Sequence, residues 1–278
     1  MAGSHPTQGT LEPMCTVRGA AAAVGLVLAT SCGSPPALVQ AGSTSTGVER
    51  LRVEVVSTRP HDTAAFTQGL EVVGGQLYEG TGLTGRSSIQ RSDLADGSVR
   101  ARQELDPALF GEGITVAGDR LWQLTWKNGV AIARDPHTLA ELSRVSYSGE
   151  GWGLCAQPGR LVMSDGSATL TFRDRSTFAA RGTIAVTLDG NPLTRLNELE
   201  CTPDGQVWAN VWQSTSIVRI DPQSGQVTAL VDASGLLDAE QTAKADVLNG
   251  IAALPGTDRF LVTGKLWPTT FEVRFVPA

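Results

Sequence analysis

The chain has 278 residues, 41% of them apolar and 18% charged, enough to bury one sizeable core as a single catalytic domain. A formal net charge of −6 leaves no basic stripe with which to neutralise phosphates, which argues against a nucleic-acid partner. Thirty-one glycines and fourteen prolines are spread along the chain as punctuation, the habit of a many-turned β protein with few long helices.

At the N-terminal end, Arg18 precedes an apolar, small-residue stretch from Ala20 to Ala29, followed by Thr30-Ser31-Cys32. This reads as a signal peptide. It falls short of the about twenty residues a membrane-spanning helix needs. Leu28 to Gly33 resembles a bacterial lipobox, with Cys32 as the lipidated residue and Ala29 where leucine is commoner. Met14 offers a second start of translation, since residues 1–13 are polar. Residues 1–32 are thus assigned to export, 33–47 to a flexible tether rich in Ser, Thr, Gly and Pro, and 48–278 to the folded domain. The expected location is outside the cytoplasm, in the cell envelope or secreted, with any membrane contact made through the lipid at Cys32.

Beyond the tether, an apolar element containing glycine or glutamate recurs as FTQGLEV, FGEGITV, GWGLCAQ, LNELECT and LNGIAAL. Taking Leu70, Ile114, Leu154, Glu200 and Ile251 as equivalent gives spacings of 44, 40, 46 and 51 residues, the period of a four-stranded propeller blade. Each copy is followed by a Gly or Asp turn and a second strand (GGQLYEG, AGDRLWQL, PGRLVMSD, DGQVWANV, GTDRFLVTG). A third strand alternates with period two in SSIQRSD, GVAIARD, ATLTFRD, SIVRIDP and TTFEVRF. Fourth strands are expected at Val99–Leu105, Leu142–Tyr147, Thr183–Leu188 and Gln226–Val231. The fifth repeat reaches Ala278 without one, and the alternating segment from Glu49 to Val56 is the piece that would complete it. The expectation is an all-β, five-bladed β-propeller of four-stranded antiparallel blades, its last blade closed by the N-terminal strand. A β-sandwich is the competing fold. One insertion, Ser234 to Val247, interrupts the period, and Leu236 to Lys244 within it reads as a short helix in a loop over one face.

Cys155 and Cys201 each follow the aligned position of their repeat, Leu154 and Glu200, by one residue, which leaves two readings: a disulfide between adjacent inner strands, or two buried thiols. His5, His61 and His137 are scattered, so no metal site is expected. Hydrolase elbows, phosphate loops and Cys–His pairs are missing too. What remains conspicuous is a set of polar or aromatic residues on the innermost strands, namely Gln68, Glu112, Trp152, Asn197, Glu198 and Asn249. Trp126, Trp212 and Lys265 each follow a second strand.

At these residues the sequence resembles the plant and bacterial glutaminyl-peptide cyclotransferases. The resemblance is carried by AFTQGL, YEGTGLTGRSS, FGEGIT, LTWK, GWGL, MSDGSATL, LNELE, VWANVWQS and VLNGIA through VTGKLWP, and covers about Arg59 to Phe275. Cys155 and Cys201 depart from the hydroxyl and aromatic residues expected there. The resemblance implies a five-bladed propeller that cyclises N-terminal glutamine of peptides and proteins to pyroglutamate, with release of ammonia and without a cofactor. It implies Glu112 as the acid/base and Lys265 as the cation steadying developing charge. Gln68 and Asn197 would hold the substrate amide, Trp126, Trp152 and Trp212 would form an aromatic cage, and Phe66 and Phe110 would pack behind it. The rival from another class is an exported, non-enzymatic propeller that binds a peptide or other ligand. A quinone- or metal-dependent dehydrogenase propeller is a weaker rival.

Overall fold

In the computed structural model, residues 47–278 are described; the signal segment, Cys32 and the tether up to residue 46 lie outside them. The described chain is almost wholly β. It starts with β1 (Glu49–Pro60) and continues in groups of four: β2–β5 (Thr67–Val73, Gln76–Thr81, Ser88–Asp93, Val99–Glu104), then β6–β9 (Gly111–Val116, Leu121–Thr125, Val130–Arg134, Glu141–Ser146). Next come β10–β13 (Leu154–Gln157, Arg160–Met163, Thr169–Arg173, Ala180–Ala185), followed by a two-residue ladder of β14 (Thr187–Leu188) with β15 (Asn191–Pro192). A further four follow, β16–β19 (Leu196–Cys201, Val207–Val211, Ser216–Ile220, Val227–Asp232). Helix α1 (Ala239–Thr242) precedes the last three strands, β20–β22 (Leu248–Ala253, Arg259–Gly264, Thr269–Pro277).

Within each group, consecutive strands pair antiparallel. β1 runs antiparallel along β22, with Leu51 opposite Pro277 and Pro60 opposite Thr269, and so supplies the fourth strand the fifth repeat lacks. Its other edge pairs parallel with β19 from Glu49 to Arg52, which fuses the last two groups into one eight-stranded sheet. Nothing in the residue pattern marks that parallel seam. It leaves neither edge of β1 unpaired along those residues, which protects it from edge-to-edge association.

The faces are held together by buried apolar side chains, consecutive ones in inner strands such as β11 and β21. Tyr78 and Ile89 pack on Ile114 and Leu121, and Trp122 and Leu124 on Leu154 and Leu161. Val162 and Leu170 meet Leu199 and Val218; Ile217 and Val231 meet Ile251 and Val262; and Leu70 and Val72 pack on Ala252 and Leu261. Each group therefore covers a face of the next, and the last covers the first. The first strands of the groups, β2, β6, β10, β16 and β20, adjoin in the same cyclic order. They approach so closely that a Cβ on Gly113 would lie 2.6 Å from the Trp152 carbonyl oxygen, and one on Gly153 would lie 2.0 Å from that of Asn197.

Three expectations need correction. In the fourth repeat the residue equivalent to Ile114 and Ile251 is Leu199, not Glu200: the pairs Leu199–Ala209, Ile114–Gln123 and Ile251–Val262 hold the same place after the same register shift. Glu198 therefore stands where the other repeats have Gly69, Gly113, Gly153 and Gly250, and Cys201 follows its reference residue by two rather than one. The fourth strand of the third group begins at Ala180, three residues before the expected Thr183. The helix covers four residues and starts at Ala239 rather than Leu236, because Asp238 caps it there: its side chain accepts from the Gln241 amide at 2.8 Å, and the Gln241 side chain accepts from the Asp238 amide at 3.1 Å.

Candidate active site

The inner strands deliver one side chain each to the same level. Gln68 on β2, Glu112 on β6, Trp152 just before β10, Asn197 on β16 and Asn249 on β20 all directly precede the glycine position of their repeat. The first four line a cavity of about 460 Å³, and Asn249 lies against Gln68. Trp126, Trp212 and Lys265, each the residue after the second strand of its group, close the walls, with Phe66 and Phe110 beside them. The nine residues to which the resemblance assigns catalytic or substrate-binding roles thus line one cavity, and both phenylalanines line it directly rather than standing behind.

Glu112 is buried and its carboxylate meets a single neutral donor, the Gln68 side-chain amide at 3.2 Å. Burial raises its pKa well above the ordinary carboxylate range; the Lys265 charge opposes the rise and the Glu150 charge adds to it. Lys265 is buried as well, and desolvation lowers its pKa while the Glu112 and Asp246 charges push it back up. Among the described residues no carboxylate comes within 4 Å of its Nζ, which sits 4.7 Å from the centre of the Phe66 ring. The pair therefore attracts across the cavity without locking into a salt bridge, leaving both groups free to meet a third molecule.

The Gln68 amide is oriented by a relay. Asn249 Nδ2 donates to Gln68 Oε1 at 3.2 Å and to the Thr67 carbonyl at 2.9 Å, so the Gln68 NH2 faces Glu112. Asn197 is anchored through its backbone: Ser164 Oγ accepts from the Gly153 amide at 2.7 Å and donates to the Asn197 carbonyl at 2.6 Å. The Asn197 side-chain oxygen, in a residue only 2% exposed, has no partner. An unpaired buried acceptor in a cavity wall is costly unless a ligand N–H completes it.

The tryptophans are half-buried and mutually supporting. Trp152 and Trp212 meet edge to face at 5.4 Å, and Trp126 leans on Phe110 at 5.4 Å. Gly166, at φ +79°, leaves room for Trp152, whose ring a Cβ there would touch at 2.7 Å. The indole N–H groups of Trp126 and Trp152 converge on one carboxylate oxygen, Glu150 Oε2, at 2.7 and 3.0 Å.

The geometry has counterparts among known proteins. The family model described as glutamine cyclotransferase matches residues 26–275. The chain belongs to the glutamine cyclotransferase family. It is 39% identical over 232 residues to the glutaminyl-peptide cyclotransferase of Arabidopsis thaliana, a match covering 81% of this chain and 72% of the plant protein. The crystal structure of Myxococcus xanthus glutaminyl cyclase superposes with a TM-score of 0.74 at 38% identity, covering 83% of this chain and 99% of the bacterial one. The family resemblance read from the sequence is borne out. Within this cyclotransferase chain, Cys155 and Cys201 form a disulfide with Cα atoms 5.4 Å apart, which decides between the two readings left open for them.

Several functional positions were not singled out from sequence. Glu150 lies in the turn before Trp152, and only the convergence of two indoles marks it. Gln213, held at φ +60°, Asp246 and Val247 complete the cavity rim. Glu198 was grouped with the cavity residues but does not line it. Its carboxylate crosses the centre and accepts from the Leu70 amide at 3.1 Å and the Ile251 amide at 2.9 Å. It is a tie among three inner strands, using the space that glycine leaves elsewhere. Among the described residues no set of three His, Cys, Asp or Glu side chains is arranged to hold a metal ion.

Proposed function

We propose that the chain is a glutaminyl-peptide cyclotransferase built as a five-bladed β-propeller, converting N-terminal glutamine of peptides and proteins to pyroglutamate with release of ammonia. The observation that carries the reading is the single cavity in which a buried carboxyl of raised pKa, a buried lysine and three tryptophans face one another in a chain of this family. The cyclic packing of the four-stranded groups supports the architecture.

The reaction is an intramolecular acyl transfer. The α-amine attacks the side-chain carbonyl carbon, forming a five-membered ring and a tetrahedral centre; one proton then passes from the amine nitrogen to the amide nitrogen, and the C–N bond to ammonia breaks. Aromatic walls that hold amine and amide in contact convert much of the barrier into binding. Glu112, whose carboxyl burial makes a better proton donor and acceptor than an ordinary carboxylate, protonates the leaving nitrogen and takes the amine proton in return. Lys265 steadies the negative charge that develops on the carbonyl oxygen. The Asn197 oxygen accepts an N–H of the substrate, and Gln68, fixed by Asn249, keeps the Glu112 carboxyl in line. Every proton is accounted for by these side chains, so the chemistry calls for neither metal nor cofactor, and the enzyme class is that of an aminoacyl-group acyltransferase.

The apolar stretch ending at Cys32 supports export, with lipidation of that cysteine as the only membrane attachment. The Cys155–Cys201 bond suits an oxidising compartment outside the cytosol.

Ammonia release from a short peptide with N-terminal glutamine, followed together with the loss of mass, tests the activity. Glu112→Gln is expected to lower kcat by about 10²- to 10⁴-fold, the range for removing a general acid/base. An inactive wild type that is properly folded would return the protein to the class of binding propellers, and full activity in Glu112→Gln would remove this residue from the mechanism.

A further inference from the structure

Beside the aromatic cavity lies a second one of about 530 Å³ that the proposed chemistry does not use. The two share Gln213, Asp246 and Val247 as a common sill. Beyond that sill the walls turn apolar, with Leu236, Leu237 and Ala245 from the insertion and Trp267 from the turn after β21. By contrast, the polar cavity around Arg86 and Arg102 shares no wall with the aromatic one.

The insertion that forms this cleft is tied down. The capping box at Asp238 and Gln241 fixes its helical turn, and the Ala245 amide donates to the Gln241 carbonyl at 3.0 Å. Its far end is fastened to the active site itself: the Asp246 amide donates to the Lys265 carbonyl at 2.9 Å, the Lys265 amide to the Val247 carbonyl at 2.9 Å, and the Trp267 indole to the Asp246 carbonyl at 2.8 Å. Leu236, Leu237 and Ala245 pack on the buried cluster around Leu248 and Trp267, so the cleft is preformed.

We propose that this cleft is the subsite for the second residue of the peptide substrate, selecting an apolar side chain there. The inference rests on the cyclotransferase reading, which places the first residue in the aromatic cavity and forces the rest of the peptide out over its rim. The shared sill supplies the path. Gln213, at φ +60° and exposed on that sill, presents an amide able to donate to and accept from the peptide group between the two residues. The exposed Asp246 carboxylate on the same sill disfavours an acidic second residue.

The test is a substrate series, Gln-Gly, Gln-Leu, Gln-Phe and Gln-Glu amides, measured by ammonia release with the full chain. The expected order places Gln-Leu and Gln-Phe about tenfold above Gln-Gly in kcat/KM and Gln-Glu below it, the scale on which an apolar pocket discriminates. Leu237→Ser and, independently, Ala245→Phe, which fills the cleft, should each reduce that preference to about twofold or less, read as the ratio of kcat/KM for Gln-Leu or Gln-Phe to that for Gln-Gly within the same variant. Equal turnover of all four peptides, or a preference for leucine and phenylalanine that survives both substitutions, would overturn the subsite and leave the cyclotransferase reading intact. Failure of the wild type to cyclise any of them would overturn both.

Discussion

Glu150 is the sharpest place to test how the cavity is held. One carboxylate oxygen accepts both the Trp126 and the Trp152 indole N–H groups, and the other faces Lys127 Nζ at 3.7 Å. Glu150→Leu removes both acceptors. The indoles are half-buried, so water replaces part of what is lost, and each bond is taken at about 1 kcal/mol, below the roughly 1.5–3 kcal/mol of a bond to a charged group that water does not reach. Together that is about 2 kcal/mol of positioning, which converts to about thirtyfold in kcat/KM if the two rings must be ordered at the transition state. Glu150→Gln separates this from charge, because the amide oxygen still accepts the indoles but carries no negative charge. Turnover near neutral pH should then fall only a few-fold. The Glu150 charge contributes to the raised pKa of Glu112, so its removal makes Glu112 easier to ionise, and the limb of the pH–rate profile that reports Glu112 should move to lower pH. The assay is ammonia release across a pH series for wild type and both variants, with thermal melting to compare folding. Wild-type kcat/KM in Glu150→Leu, or a limb in Glu150→Gln that stays in place or moves to higher pH, would refute the reasoning.

The Cys155–Cys201 bond closes a loop across a sequence separation of 46, and the chain-entropy relation assigns it about 4 kcal/mol. The Cys155→Ala/Cys201→Ala double variant should therefore melt several degrees lower than wild type while keeping its KM, since neither cysteine lines the aromatic cavity; unchanged melting with and without reductant would show that the bond adds nothing. Outside the aromatic cavity, burial pushes the Glu71 carboxyl up to about 8 and raises Glu198 and Glu200 well above the usual range. A folded pKa above the unfolded one gives stability that is complete below the unfolded value and lost as pH climbs through the folded value. The urea midpoint should thus fall as pH rises from about 4.5, the ordinary carboxyl value, through about 8, the folded value of Glu71. Glu71→Gln should flatten that fall, and an equal fall in the variant would show that Glu71 is not its source.

How much of this was readable beforehand depended on whether the signal was local. The recurring glycine element, the turn chemistry and the period-two strands are set by neighbours in sequence, so the groups of four and the closing role of the segment after Glu49 were legible. The slip in the fourth repeat arose where one residue breaks the pattern. Glycine is the shared sign of close strand approach, and Glu198 hides it because its side chain spans the centre instead of standing in a neighbour's space. The cavity residues were legible for another reason: each follows a fixed place in a repeat, so five repeats presented the same position five times. Glu150 and the rim residues Gln213, Asp246 and Val247 occupy no such place and became visible only when loops from different groups met.

That difference bears on how the chain divides its labour. The repeat position immediately before the glycine is filled by Gln68, Glu112, Trp152, Asn197 and Asn249 in turn, four kinds of side chain on one backbone geometry. Similar strands thus hold a carboxyl, an indole and three carboxamides at a common depth, while the ladders behind them stay alike. The next position along carries the opposite constraint: four glycines permit contact, and the one exception, Glu198, ties three strands. Chemistry varies at one level and closure is fixed at the level beneath. Substitutions at the first should alter kcat or KM with little loss of folding, whereas replacing Gly113 or Gly153 by alanine should disrupt folding first, because backbone atoms already occupy the space.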